Sequence, residues 1–182
     1  MTAPHARPVA EDYPSAYAGY ISKVPEEADV VEMLALQPLE LKAIFGEMTD
    51  DQAMYRYEPG KWSLKQLLGH LADAEREFGH RAFRFSRADP TPLPGFDEDA
   101  YVANGTAEMQ PLAELLDEFM HLRSANLSLI RNLRPAAWEL RGVANGKEGT
   151  VRTYVFVLAG HMRHHLDVLR DRYVPELPTR GR

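Results

Sequence analysis

Four stretches of the chain repeat apolar residues at the three-and-four spacing of an amphipathic helix, and no segment alternates convincingly with the period of a strand. The first stretch runs from about Glu26 to Met48. It places Val30, Leu34, Leu41, Ile44 and Phe45 among its apolar positions and Glu26, Glu27 and Asp29 at the end where the helix dipole favours negative charge. Pro38 lies inside this pattern and is expected to kink or interrupt the helix near Leu36 and Gln37, because proline lacks the N–H that a helix uses. The second stretch begins after Ser63, whose pairing with Gln66 three residues on is a capping-box signature. It should continue to about Ala88, where Pro90, Pro92 and Pro94 stop it. Leu64, Leu67, Leu71, Ala74, Phe78, Ala82 and Phe85 share an arc of roughly 80° on its wheel. A third helix is expected from Pro111 at its first position to Asn132, with Leu112, Leu115, Leu116, Phe119, Leu122, Leu129 and Ile130 inward. Thr150 is the natural N-cap of the fourth, which ends around Arg172 or Tyr173. Four long helices with one apolar stripe each bury those stripes together as an all-α four-helix bundle.

The segments between the helices are rich in turn formers. Residues 1–25 carry Pro, Ala and Tyr without a period and read as an N-terminal extended arm, which Tyr13, Tyr17, Tyr20 and Ile21 could anchor. Residues 26–173 form the domain, and 174–182 a short, loose tail. The stretch PTPLPGFDEDAYVANGTAE is a long irregular connection able to wrap over a site, with Asp97 and Tyr101 its most chemically useful residues. In RPAAWELRGVANGKEGT, the Asn145-Gly146 pair suits a tight reversal.

At 182 residues the chain fits one domain with a full core. Its net charge of −6, spread without blocks of like charge, argues against a phosphate-backbone binder, so nucleic acid is not an expected partner. No run of about 18 apolar residues is present, so no membrane span is expected, and the N-terminus lacks the apolar core of a secretory signal. A cytoplasmic location is the expectation. The chain has no cysteine, so a metal would be held by nitrogen and oxygen alone, and a cysteine nucleophile is excluded.

The chemistry concentrates in AGHMRHHLDVL, residues 159–169, where three of the seven histidines fall within five residues. His161 and His165, four apart, sit one above the other on a helix, roughly 60° and 20° to one side of Leu158. Such a pair on the edge of a buried stripe can chelate, and the only other histidine in a comparable apolar helix is His70. Three neutral imidazoles with an open position suit zinc, nickel or a related transition metal. His164 points away from the stripe and reads as solvated, His80 and His121 read as surface, and His5 lies in the arm. On the flank of His70 lie Gln66, Asp73, Glu77 and Arg81, which either share a cavity with it or form an ordinary solvated face. Glu75 falls nearer the apolar arc, as the buried partner of an arginine or as an orienting acceptor for a metal-bound histidine. Trp62 and Trp138 read as structural anchors. No Gly-x-Ser-x-Gly elbow, phosphate loop or His-Glu-x-x-His motif occurs, and paired Glu-x-x-His motifs of di-iron bundles are missing, which favours a single metal.

Taken together, KWSLKQLLGHLADAE and TVRTYVFVLAGHMRHHLDVLR resemble the DinB-like superfamily of four-helix bundles, DinB_2-type members in particular, over about Glu26 to Tyr173. The resemblance implies that His70, His161 and His165 bind one divalent metal, zinc or nickel first and iron or manganese next, with water completing the shell. It implies a small-molecule substrate and either transfer of a low-molecular-weight thiol or hydrolysis by water. In that scheme Asp73, Glu77 or Arg81, on the flank of His70, is expected to position substrate or move a proton. A homodimer is common among such relatives. The competing expectation is a non-catalytic metal-binding or stress-response module, in which a fourth protein group closes the metal site.

Overall fold

The helices start where side chains can satisfy their free backbone N–H groups. In a computed structural model that describes residues 6–173, short helical turns at Ala10–Asp12 and Ser15–Tyr17 lead into α1, Ala18–Ile21. Helix α2, Val30–Phe45, is capped by Asp29, and a single turn α3, Asp50–Ala53, by Thr49. Helix α4, Leu64–Ser86, opens with the Ser63–Gln66 capping box, and α5, Glu98–Asn104, is capped by Asp97. After α6, Leu112–Arg131, strands β1, Arg141–Ala144, and β2, Lys147–Thr150, form a hairpin. Thr150 then accepts the Thr153 N–H at the start of α7, Val151–Val168, which ends in a π turn over Leu169–Tyr173.

The bundle consists of α2, α4, α6 and α7. Helix α4 packs on α6 and α7, and α2 packs on the same two, so α2 faces α4 across the bundle and α6 faces α7. The long connections make this order possible, since neither 46–63 nor 132–150 has to join adjacent helices. A buried polar layer ties all four helices at one level. Arg123 on α6 makes two bonds to the Glu75 carboxylate on α4 (2.8 and 2.9 Å), and donates to the Leu34 carbonyl (3.0 Å) and Gln37 Oε1 (2.9 Å) on α2. Gln37 Nε2 donates in turn to the Ala159 carbonyl on α7 (2.7 Å). The apolar core is thereby divided in two, one part around Val30, Phe78, Phe85 and Tyr154, the other around Phe45, Leu68, Phe119 and Leu166.

Several expectations change. Helix α2 begins at Val30 rather than near Glu26 and runs through Pro38 without interruption. Proline at 38 cannot donate to the carbonyl of Leu34, and that carbonyl instead accepts from Arg123. Pro111 occupies the N-cap of α6 rather than its first helical position. The N-terminal segment from residue 10 is coiled into helical turns rather than extended, held by Arg7, which donates to the carbonyls of Ile21 (2.8 Å) and Val24, and by Thr153 Oγ1 donating to the Asp12 carbonyl (2.8 Å). Gly160 permits this packing: a Cβ there would stand 1.9 Å from the Tyr20 carbonyl oxygen.

The 132–150 connector contains a two-stranded sheet that its short, glycine-interrupted strands did not announce, although its reversal at Asn145-Gly146 is as expected. Both residues have positive φ, 52° and 67°, as a two-residue hairpin turn requires. Leu93 exchanges backbone bonds with Val143 and Asn145, so the hairpin braces the proline-rich connector. No helix among the described residues is long and apolar enough to cross a membrane. His5 and the tail, 174–182, lie outside the described residues.

Candidate metal centre

His70 comes from the second turn of α4, whose register is set by its cap at Ser63, and His161 and His165 come from one face of α7, set by Thr150. The α4–α7 contact brings the three rings together. His70 Nε2 lies 3.1 Å from His161 Nε2 and 3.2 Å from His165 Nε2, and one ligand atom from each ring lies within 4.8 Å of the others. Imidazole nitrogens bound at about 2.0–2.1 Å to one ion in tetrahedral to octahedral geometry stand about 2.8–3.4 Å apart. The two distances from His70 fall in that range.

The protonation of these rings supports that reading. The three side chains are 5%, 5% and 9% exposed. Burial depresses their pKa values, His70 to about 4 and His161 and His165 well below the ordinary value; repulsion from His164 adds to the shift in all three, and repulsion among the rings adds for His161 and His165. All three are therefore neutral near pH 7, the form that binds metals. As a hydrogen-bonded cluster the arrangement is poor. A single N–H on His70 Nε2 serves only one of its two neighbours, and His165 Nδ1 is buried without a partner. A cation meets all three lone pairs at once.

Aromatic rings wall the cluster. Trp62 lies over His70 (centroids 4.8 Å apart), while Tyr20 and Phe78 meet His161 edge-on at 5.2 and 5.7 Å. The three histidines border a cavity of about 360 Å³ shared with Tyr17, Tyr20, Trp62, Phe78, Arg81 and Phe96. Glu98 and Asn145 also contribute to its wall. A second hollow of about 440 Å³, also lined by Trp62, touches His164, His165 and Tyr173.

Arg81 reaches the main cavity. Asp73 does not: it lines a separate hollow of about 170 Å³ with Gln66 and the outer side of His70, where burial, opposed by Arg76, raises its pKa. Gln66 is occupied by the Ser63 N–H (3.0 Å) and Arg56 (2.6 Å). Glu77 accepts from the Tyr101 hydroxyl at 3.4 Å and stands 3.8 Å from Arg81. Asp97 serves as the cap of α5, accepting from the Ala100 N–H at 3.0 Å. Glu75 takes the first of its two expected roles, as the buried partner of Arg123.

His80 and His121 are on the surface. His164, expected in solvent, is half-buried beside Tyr20 (centroids 5.8 Å) and borders both hollows, because the N-terminal segment folds across that side of α7. Trp62, expected as an anchor, is a wall of the site. The position of Trp62, one residue before a cap and eight before His70, was the signal for it. Tyr20, Phe96 and Asn145 had none, since each arrives from a segment without period.

A model of the DinB superfamily matches residues 33–169. A Bacillus licheniformis protein named a "putative metal-dependent hydrolase" is 28% identical over 159 residues, covering 81% of this chain and 88% of the relative. A Geobacillus kaustophilus protein with the same description is 27% identical, covering 77% and 82%. Among solved structures, YfiT from Bacillus subtilis, described as a "probable metal-dependent hydrolase with an unusual four-helix bundle topology", superposes with a TM-score of 0.70 at 18% identity, covering 91% of this chain and 93% of that one. This last likeness is one of fold.

Proposed function

Because the chain belongs to the DinB superfamily, we propose that it is a hydrolase of small molecules that depends on one divalent metal held by His70, His161 and His165. The observation that carries this reading is the convergence of three neutral Nε2 atoms, 3.1 and 3.2 Å from that of His70, at the wall of a cavity. A divalent ion held by His70, His161 and His165 would supply Lewis-acid chemistry to a hydrolysis in this cavity.

The protein's own groups prepare that chemistry. Burial keeps the three imidazoles unprotonated, and Trp62 and Tyr20, packed on the His70 and His161 rings, limit water around them. Among the described residues the ligand cluster comprises three side chains and no fourth, the pattern of a catalytic rather than a structural site. This favours an enzyme over a non-catalytic module. The relatives' names speak for hydrolysis, and the expectation of a low-molecular-weight thiol as co-substrate draws no support from them.

The test uses protein purified without a histidine tag, stripped with a chelator and reloaded separately with zinc, nickel, iron(II) or manganese. Small esters and amides are offered with and without an added thiol. Turnover by at least one loaded form, absent from the stripped form and independent of thiol, is expected. Turnover only with a thiol, or with no metal at all, would overturn the reading.

A further inference from the structure

Histidines apart, four cationic side chains are buried among the described residues: Lys65, Arg81, Arg123 and Arg152. Three of them touch a carboxylate at hydrogen-bond distance, Lys65 with Asp50, Arg123 with Glu75 and Arg152 with Glu139. Arg81 does not. Its Nη1 donates to the Tyr17 hydroxyl (3.0 Å) and its Nη2 to the Pro94 carbonyl (3.2 Å), both neutral acceptors. The Glu77 carboxylate stands 3.8 Å from Nη2, beyond hydrogen-bond reach. Arg81 Nε is buried without a partner.

A buried charge is costly when its compensation is incomplete. The rings of Phe78, Phe96 and Tyr154, with centroids 5.6, 5.5 and 5.8 Å from Arg81 Cζ, offset part of that cost. They also fix the guanidinium in place. Arg81 borders the same cavity as the three histidines, and Phe78 links them, contacting Arg81 and standing 5.7 Å from the His161 ring. The cavity therefore has a metal-ligand cluster at one part of its wall and an under-compensated planar cation at another.

We propose that Arg81 anchors the anionic group of the substrate, and that the substrate class is a small molecule bearing one carboxylate remote from the hydrolysed bond. This rests on the hydrolase reading of the same cavity. The guanidinium fork matches a carboxylate. Glu98, exposed on the cavity wall, and Glu77, close to Arg81, oppose a second negative charge, so a monoanion is favoured over a phosphate dianion.

Phenylacetate and its neutral analogue phenylacetamide serve as probes, titrated calorimetrically into the metal-loaded full chain and into the chelator-stripped protein. Phenylacetate should bind at least about tenfold more tightly than the amide in both forms, as expected for a bond to a charged group. Arg81→Gln should erase that preference with metal content unchanged, and Arg81→Lys should keep part of it. Glu77→Gln, which removes the nearby negative charge, should tighten phenylacetate about threefold. Should Arg81→Gln fail to fold, the lysine variant and Glu77→Gln decide.

Absence of saturable phenylacetate binding, equal binding of acid and amide, or inorganic phosphate binding more tightly than phenylacetate would overturn the proposal. So would binding that disappears on stripping yet ignores Arg81→Gln, because the carboxylate would then sit on the metal. Failure of the hydrolase reading looks different: no metal uptake or no turnover, with the Arg81-dependent preference for the acid intact.

Discussion

At the scale of single residues, the site depends on three histidines kept neutral by burial. When a histidine's folded pKa is depressed, the unfolded chain takes up the proton first as pH falls. The stabilisation linked to His70 is therefore fully present above about pH 6.5 and is lost between there and its folded value of about 4, where the loss levels off. That range corresponds to about 3 kcal/mol for His70 alone. Chelator-stripped protein should thus lose melting temperature on going from pH 7.5 to pH 5 by more than a His70→Gln variant does, the difference isolating this side chain from the carboxylates that titrate lower. Identical slopes for the two proteins would show that burial does not hold His70 neutral. The triad itself was legible because a spacing of four and a capped, periodic helix fix which way a side chain points. Tyr20, Phe96 and Asn145 were not, since their segments have no period and their positions depend on what they pack against.

At the scale of elements, α7, which carries His161 and His165, is buried along nearly all of its length, so its polar groups must be paired or put to use. It also receives α1 at Gly160, where the Tyr20 carbonyl fills the space of a missing side chain. Gly160→Ala forces backbone and methyl group into the same volume. Overpacking of this kind costs about 1–3 kcal/mol, and the expected relief is outward movement of α1 together with Tyr20. Urea denaturation should report a loss in that range, and Tyr20 should become more accessible to chemical nitration. A variant as stable as the parent, with Tyr20 still protected, would mean that α1 does not rest on α7 in this way. Helix α2 shows the opposite relation between sequence and structure. Pro38 predicts a break, but the carbonyl it leaves free is taken by Arg123, a contact between residues 89 positions apart that no local pattern contains.

At the scale of the whole molecule, the bundle presents two helices, α4 and α7, whose contact face holds the cluster of three histidines. The other two, α2 and α6, are tied to them by the Glu75–Arg123–Gln37 layer at mid-height. Stripe and cap positions in the sequence were enough for the helices and for the fold class. The order in which the helices pack was not legible, because connections as long as 46–63 and 132–150 allow α2 and α4, or α6 and α7, to be neighbours or diagonals alike. The account as a whole stands on three imidazoles sharing one ion. Elemental analysis of untagged protein, set beside His70→Ala, His161→Ala and His165→Ala variants purified in the same way, addresses this without reference to substrate. One equivalent of divalent metal per chain is predicted in the parent, with affinity lowered at least about tenfold in every variant; metal content unchanged across all three would contradict it.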